Sequence, residues 1–581
     1  QGVFNANGHT VTVTGNWTNS VGPAGFNETD SRVIFNGPGH QYVYGDEHFN
    51  ILEVNNGAAL RLNSSSYDVS CNSYDWTAGG IDIVAGNFTA NDLADNGLFG
   101  TYWCNPGGTL TLTQDGGQYI DLNGEIHIFG GTMTVNGGLG ASYWPYQDDA
   151  VIQMTGGVLD FPDSPIRLHG TSFTLTEDIT GGTIKTQWSF WDYRGDFTPE
   201  GGSLELYGTA DADLSIIEGS NLYNLTINKQ PTENGNQPEK TILEFRDGTK
   251  MPANRANTVT ASDTLVIARD FNLLAGTFVA PDLMTMLSVT EMDWNNAVGP
   301  EAFVEGEGTV SFSGWEQWCS TEMFHVLEMN KPNGDFRVFY GNNVECQTLK
   351  WASTTGDIHV DEGTFTAWDL FESGIHGKYF LSHENAVVNL YQDAGQWTDL
   401  NGHIFITDGT MNVFGGSGVS FWPYSEDAEI TMYYGTLNFE DNGIYLNGNS
   451  SFDLTVDISG GSIQTNGNFT GEGDDFQPDG GTCELYGGSD AFVGIDGAGY
   501  FFDLVINKET PAKITGQYQA VPSAGQENAP QRKEPVVPDS RANTAKAWSD
   551  FNIANDLTIE NGTFDVNGFQ VTVGNHVPIY G

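Results

Sequence analysis

Residues Gln114 to Tyr146 read QDGGQYIDLNGEIHIFGGTMTVNGGLGASYWPY, and residues Gln392 to Tyr424 read QDAGQWTDLNGHIFITDGTMNVFGGSGVSFWPY, with 21 of 33 positions identical. A fold compatible with this sequence must be one that can be built twice in succession. The match extends outward. Trp17-Thr18-Asn19-Ser20-Val21-Gly22-Pro23 answers to Trp294-Asn295-Asn296-Ala297-Val298-Gly299-Pro300, and Leu204-Glu205-Leu206-Tyr207-Gly208 to Cys483-Glu484-Leu485-Tyr486-Gly487. A third start follows, because Gly562-Thr563-Phe564 echoes both Gly276-Thr277-Phe278 and Gly2-Val3-Phe4. Upstream of two of these starts, Arg255-Ala256-Asn257-Thr258 recurs as Arg541-Ala542-Asn543-Thr544, each 23 residues before its phenylalanine.

Inside each copy a shorter period recurs. Gly86, Gly108, Gly131, Gly157, Gly182 and Gly202 stand 20 to 26 residues apart, and Gly409, Gly435, Gly461 and Gly481 keep similar intervals. Each is followed by a stretch with period two, such as Thr109-Leu110-Thr111-Leu112-Thr113, the signature of a strand with one face buried. A coil of this length with a glycine at its corner suits a β-solenoid, whose strands stack in parallel about 4.8 Å apart. The expected fold is all-β, a right-handed parallel β-helix, with handedness taken from the general rule for parallel crossovers. A four-fold motif marks the same coils: Phe49 to Asn56, Tyr223 to Lys229, Phe324 to Lys331 and Phe502 to Lys508.

These F-x-x-L-x-I-N-K strands and Gly-Thr-Phe corners, spread over nearly the whole chain, resemble the secreted repeat proteins of the Bacteroidota and related phyla. The resemblance implies a bacterial β-helical protein at the cell surface or released from it. It carries over no catalytic residue.

The 75 acidic and 21 basic residues give a formal charge of −54, which repels nucleic acid and anionic membrane surfaces. With 38% hydrophobic residues the chain can still build a large core. No run approaches the roughly 20 apolar residues of a spanning helix, so membrane insertion is not expected. A start at Gln1 suits a chain whose signal peptide has been removed. Five cysteines occur without Cys-x-x-Cys pairs or zinc spacing. The gaps from Cys71 to Cys104 and from Cys319 to Cys346 are near one coil, so each pair is a candidate disulfide in an oxidising compartment. Cys483 is left over, as a buried thiol or an intermolecular link.

The expected organisation is a first solenoid unit over 1–229, a basic linker over 230–261, a second unit over 262–508, a proline-rich basic linker over 509–547, and the start of a third unit over 548–581. Counted with Lys229 and Lys508, the linkers hold 11 of the 21 basic residues. They admit two readings, as solvated connections or as arms lying across an acidic neighbour. Gly2, Phe4, Gly562, Phe564, Arg532, Lys533 and Arg541 are the candidate assembly segments.

The candidate ligand site is the aromatic and acidic cluster Trp144, Tyr146, Asp148 and Asp149, with Trp422, Tyr424, Glu426 and Asp427 in the second copy. Rings beside carboxylates suit a sugar's apolar face and hydroxyls; the alternative is a Trp-Pro-Tyr loop packed on the solenoid. A polar stripe, Gln114, Asp115, Gln118, Asp121 and Asn123 against Gln392, Asp393, Gln396, Asp399 and Asn401, offers hard oxygens to Ca²⁺ or else to side-chain ladders. No other cofactor is expected. Arg194-Gly195-Asp196 spells an integrin-type tripeptide that its counterpart loses. No P-loop, nucleophile elbow or His-Glu-x-x-His is present. The expectation is an extracellular structural protein and not an enzyme, a fibre, sheath or surface-layer subunit that forms a head-to-tail homopolymer. The alternatives are an adhesin or stalk binding cell-surface or extracellular glycans and, less favoured, a β-helical polysaccharide-degrading enzyme.

Overall fold

The computed structural model describes residues 2–578 apart from 231–241, 245–249, 253–256, 288–293, 509–542 and short stretches at 96, 139–140, 143–144, 146, 169–171, 333, 339, 354, 372–373, 417–418, 422, 424–425, 442, 448–450 and 473–474. Strands of alternating burial stack almost wholly in parallel, forming a β-solenoid of about 21 turns. Among the described residues one ladder is antiparallel, Ile242–Glu244 with Lys250–Pro252, inside the first linker.

The alternation seen in the sequence sets the inner and outer faces. In Gly108–Gln114 the side chains of Leu110, Leu112 and Gln114 are buried, while Thr109, Thr111 and Thr113 are half-exposed. One inward position repeats coil after coil. In the first unit the column runs Phe88, Leu110, Met133, Leu159, Ile184, Leu204, Leu225 and Phe271. In the second it runs Phe365, Val388, Met411, Leu437, Ile463, Cys483, Leu504 and Leu557. Every member of both columns is buried, and burial of this kind contributes about 25 cal/mol per Å² of apolar surface removed from water.

Cys483 thus occupies the core position that Leu204 occupies in the first unit. The two expected disulfides are not formed: all five cysteines are buried thiols. Asn91 N donates to Cys71 O, placing Cys71 beside the Ala90–Asn91 strand end, whereas Cys104 pairs with Ile83 and Ile128. Likewise Cys346 pairs with Phe324 and Ala367, while Cys319 N donates to Arg337 O. One coil contains several strands, so a separation of about one coil does not bring two residues into one column. Burial pushes the Cys104 thiol up to about 12 and those of Cys71 and Cys483 higher still, which makes them inert hydrophobic side chains.

Contacts group the chain into two compact units, one of 1–235, 255–287 and 295–308, the other of 236–254, 288–294 and 309–581. These bounds differ from the expected 1–229 and 262–508, and both linkers shrink at their C-terminal ends. Thr258–Ser262 pairs with Ala212–Ile216, and Thr544–Ala547 with Ala491–Asp496, so both strands belong to coils. Each linker is therefore an insertion into a single coil. Thr258 N donates to Asp211 Oδ1 across 47 residues and Thr544 N to Asp490 Oδ1 across 54, where uninterrupted coils make the same bond across 25 and 26.

The lysine closing three of the four F-x-x-L-x-I-N-K motifs is buried. Lys229 Nζ donates to Gln187 O at 2.7 Å, Lys508 Nζ to Asn466 O and Tyr486 O at 2.8 and 2.7 Å, and Lys331 Nζ to Gly314 O and Gln317 Oε1, both at 2.9 Å. The aliphatic stem packs in the core while the ammonium satisfies carbonyls of earlier coils. Burial lowers the Lys229 and Lys508 amines to about 8.

Candidate functional site

Trp144, Tyr146, Trp422 and Tyr424 lie outside the described residues, as do Arg532, Lys533 and Arg541. The carboxylates beside the four rings are placed, and most are used by the backbone. Asp149 Oδ1 accepts from Thr174 N at 2.8 Å and Asp427 Oδ1 from Asp453 N at 3.0 Å, each tying one coil to the next. Asp148 Oδ1 accepts from Asp149 N within its own turn. Among the described residues, Glu426 is the one of these four that meets another side chain, with Oε1 at 3.4 Å from His376 Nδ1.

Around that pair the second unit gathers more of what a sugar site needs. Trp397 and Tyr445 are 47% and 45% exposed and meet edge to face at 6.3 Å. Asp399, two residues from Trp397, pairs with Ser420, which pairs in turn with Tyr445. Burial raises the Asp399 carboxyl, and the His376 ring partly offsets this. The two aromatic residues were missed in the sequence because only strand register makes them neighbours.

The polar stripe serves the coils. Gln114 Nε2 donates to Asp95 O and its Oε1 accepts from Asp115 N, as Gln392 Oε1 does from Asp393 N. Asn123 Oδ1 accepts from Gln147 N. Among the described residues, no three His, Cys, Asp or Glu side chains converge as metal ligands. The integrin-type tripeptide is tied down as well. The Arg194 guanidinium, 9% exposed, is paired with Glu177 at 3.1 Å and Asp196 at 2.8 Å.

Sequence reasoning also missed a dense ionic network on one sheet face of the second unit. Arg337 reaches Glu316 at 2.9 Å, Asp335 at 2.7 Å and Asp361 at 3.4 Å, while His359 lies 3.1 Å from Asp361. Hydrogen bonding to His359, then to Arg337, holds the Asp335 carboxyl below its ordinary range, whereas burial raises that of Asp357 in the next coil. The Phe380 ring packs 4.8 Å from the His359 ring, with Phe405 4.1 Å beyond. Two neighbouring carboxyls driven apart in this way can hold a proton at different pH, but the tight clamping of Arg337 across three coils also fits a cross-coil tie. Comparison with protein-family models, with curated proteins and with solved structures finds no match to this chain.

Proposed function

We propose that this chain is an extracellular structural protein, without catalytic activity, whose solenoids join copy to copy into a cell-surface fibre or sheath. The observation supporting this reading is a joint built into the first unit. Thr277–Val279 pairs on one side with Thr258–Ser262 and on the other with Phe303–Val304. There Phe278 is fully buried and its ring stacks on Phe303 at 6.0 Å.

Both halves of the joint recur. Thr563–Asp565 rests on Thr544–Ala547 as Thr277 rests on Thr258, with Thr563 N donating to Asn543 O as Thr277 N does to Asn257 O. At the other edge Phe4 pairs with Phe26 as Phe278 does with Phe303, and Ala6 N donates to Asn27 O as Ala280 N does to Val304 O. Phe4 is 52% exposed where Phe278 is sealed. A strand edge with an apolar residue beside it is a template for another chain. In the proposed fibre, the open edge of the coil that begins at Gly562 and Phe564 meets the open edge of the next copy's coil that begins at Gly2 and Phe4, two coils that each correspond to the single Phe278 coil of the joint.

Electron microscopy of the purified 581-residue chain at neutral pH tests this. The expected result is filaments that lengthen with concentration and disappear in the double variant Phe4→Asp, Phe564→Asp. Single rods at every concentration would overturn it.

A second reading rests on the exposed Trp397 and Tyr445 beside His376 and Glu426: a glycan-binding surface stalk. On a glycan array, binding that disappears with Trp397→Ala supports it, and binding by neither protein removes it.

A further inference from the structure

Five strands of the second unit, Gly363–Ala367, Ile375–Gln392, Thr398–Gly415, Thr436–Phe439 and Ser462–Thr465, follow one another in parallel register. Their outward residues form three columns. The first is Thr364, Val387, Thr410, Thr436 and Ser462, and the second is Thr366, Asn389, Asn412, Asn438 and Gln464. The third is aromatic, with Trp368 stacked on Tyr391 at 4.6 Å and Tyr391 on Phe414 at 4.4 Å, before Glu440 ends it. On a chain of charge −54, Glu440 is the one charged side chain among these positions. Glu345 and Glu484 stand in the second column just beyond its two ends. The coil itself does not demand this neutrality, because the same column of the first unit runs Thr111, Thr134, Asp160, Lys185 and Glu205.

The amides are only half used. Asn412 Nδ2 donates to Asn389 Oδ1 at 2.9 Å, and Asn438 Nδ2 donates to Asn412 Oδ1 at 3.3 Å. A carboxamide carries two N–H groups and two lone pairs, so one donor and one acceptor remain on the half-exposed Asn412 side chain. Such a set complements itself. The aromatic column is less suited to a sugar, because stacking covers both faces of Tyr391 and one face of each neighbour, leaving mainly ring edges. Two copies of so acidic a chain repel each other wherever their carboxylates approach, and least across this face.

We propose that this face pairs with the same face of a second copy of the chain, with the Asn412 side chains of the two copies meeting at a two-fold axis. Five coils about 4.8 Å apart, each contributing five residues of strand, cover roughly 400 Å², about half of the ~800 Å² that each partner buries in a stable complex. A single pair is therefore weak. The proposal rests on the fibre reading for its strength, because end-to-end joining repeats the face and multiplies the contact along neighbouring fibres.

A disulfide trap tests the pairing whether or not fibres form. The full chain carries Phe4→Asp and Phe564→Asp, which break the proposed end-to-end joint, together with Asn412→Cys. Copper phenanthroline in air oxidises the new thiol, and covalent dimers are followed on denaturing gels; the five native thiols are buried. Thr134→Cys, at the matching position of the first unit, is the control of equal net charge. Asn412→Cys is expected to dimerise about tenfold faster than the control, and to fall to the control rate when Asn389→Asp places a carboxylate in the paired face. Equal rates for Asn412→Cys and Thr134→Cys, or a rate indifferent to Asn389→Asp, would overturn the proposal. It would equally be overturned if soluble dextran, at equal dimer rates, protected the Asn412→Cys thiol from a maleimide, which would make this a glycan surface.

Discussion

Gly402→Ala is expected to destabilise the second unit by about 3 kcal/mol, the upper range for forcing a methyl group into a packed interior. Gly402 pairs with Gly377 in the adjoining coil, and a Cβ built on it would press into the Gly377 carbonyl and the backbone of His376. Backbone atoms cannot rotate away, so the coils must separate and lose ladder hydrogen bonds on both sides. Gly377 is confined from its other side by the Trp351 ring, and its φ of +70° adds left-handed strain to any replacement. Gly124 and Gly100 repeat the arrangement in the first unit. Gly116→Ala is the control, having open space around it and no left-handed φ. Urea unfolding of the three proteins decides the matter: equal midpoints for Gly402→Ala and Gly116→Ala would mean that the coils are not so closely stacked.

The pH dependence carries the second large effect. Burial raises Glu177 from 4.5 to about 7 despite its pairing with Arg194, and raises Asp369 from 3.8 to about 6, with Asp393 adding to the shift. A carboxyl whose folded pKa is raised contributes stability that is fully present below its unfolded pKa and lost as pH rises through the folded value. For Glu177 that loss falls between about 4.5 and 7 and is on the order of 3 kcal/mol. Self-repulsion of a chain of charge −54 acts in the same direction. The melting temperature is therefore expected to fall between pH 5 and pH 8, salt to restore part of the loss, and Glu177→Gln to flatten the slope. Asp335, held low by His359 and Arg337, acts oppositely; its contribution is lost as pH falls below 3.8, which places the optimum at about pH 4. The lowered amines of Lys229 and Lys508 return stability only between about 8 and 10.5. A melting temperature that is flat or rising from pH 5 to pH 8 would refute this account.

The fold was readable because its two periods are printed in the chain. Alternation in Thr109 to Thr113 identifies the buried face, and the glycine spacing measures the coil. Even the replacement of Leu204 by Cys483 is intelligible, since both fill one column. What could not be read is which residues share a column. Cys71 and Cys104 have a plausible separation but stand in different columns, and Trp397, Tyr445 and His376 are distant in sequence yet meet through register. The acidic residues misled for a related reason: Asp149 and Asp427 look like ligands in a line of text, while their partners are amides 25 and 26 residues further on.

The two insertions have a consequence for how such a chain can change over generations. Both follow a buried lysine, Lys229 or Lys508, and in both the coil resumes its register at an Asn-Thr pair whose threonine amide meets an aspartate of the coil below. Closing a longer loop adds only slowly to the entropic cost, so new sequence can enter there without disturbing the stacking on either side. Variation in such a lineage would then collect at one repeated address on the coil, leaving the rest of the scaffold to be copied unchanged.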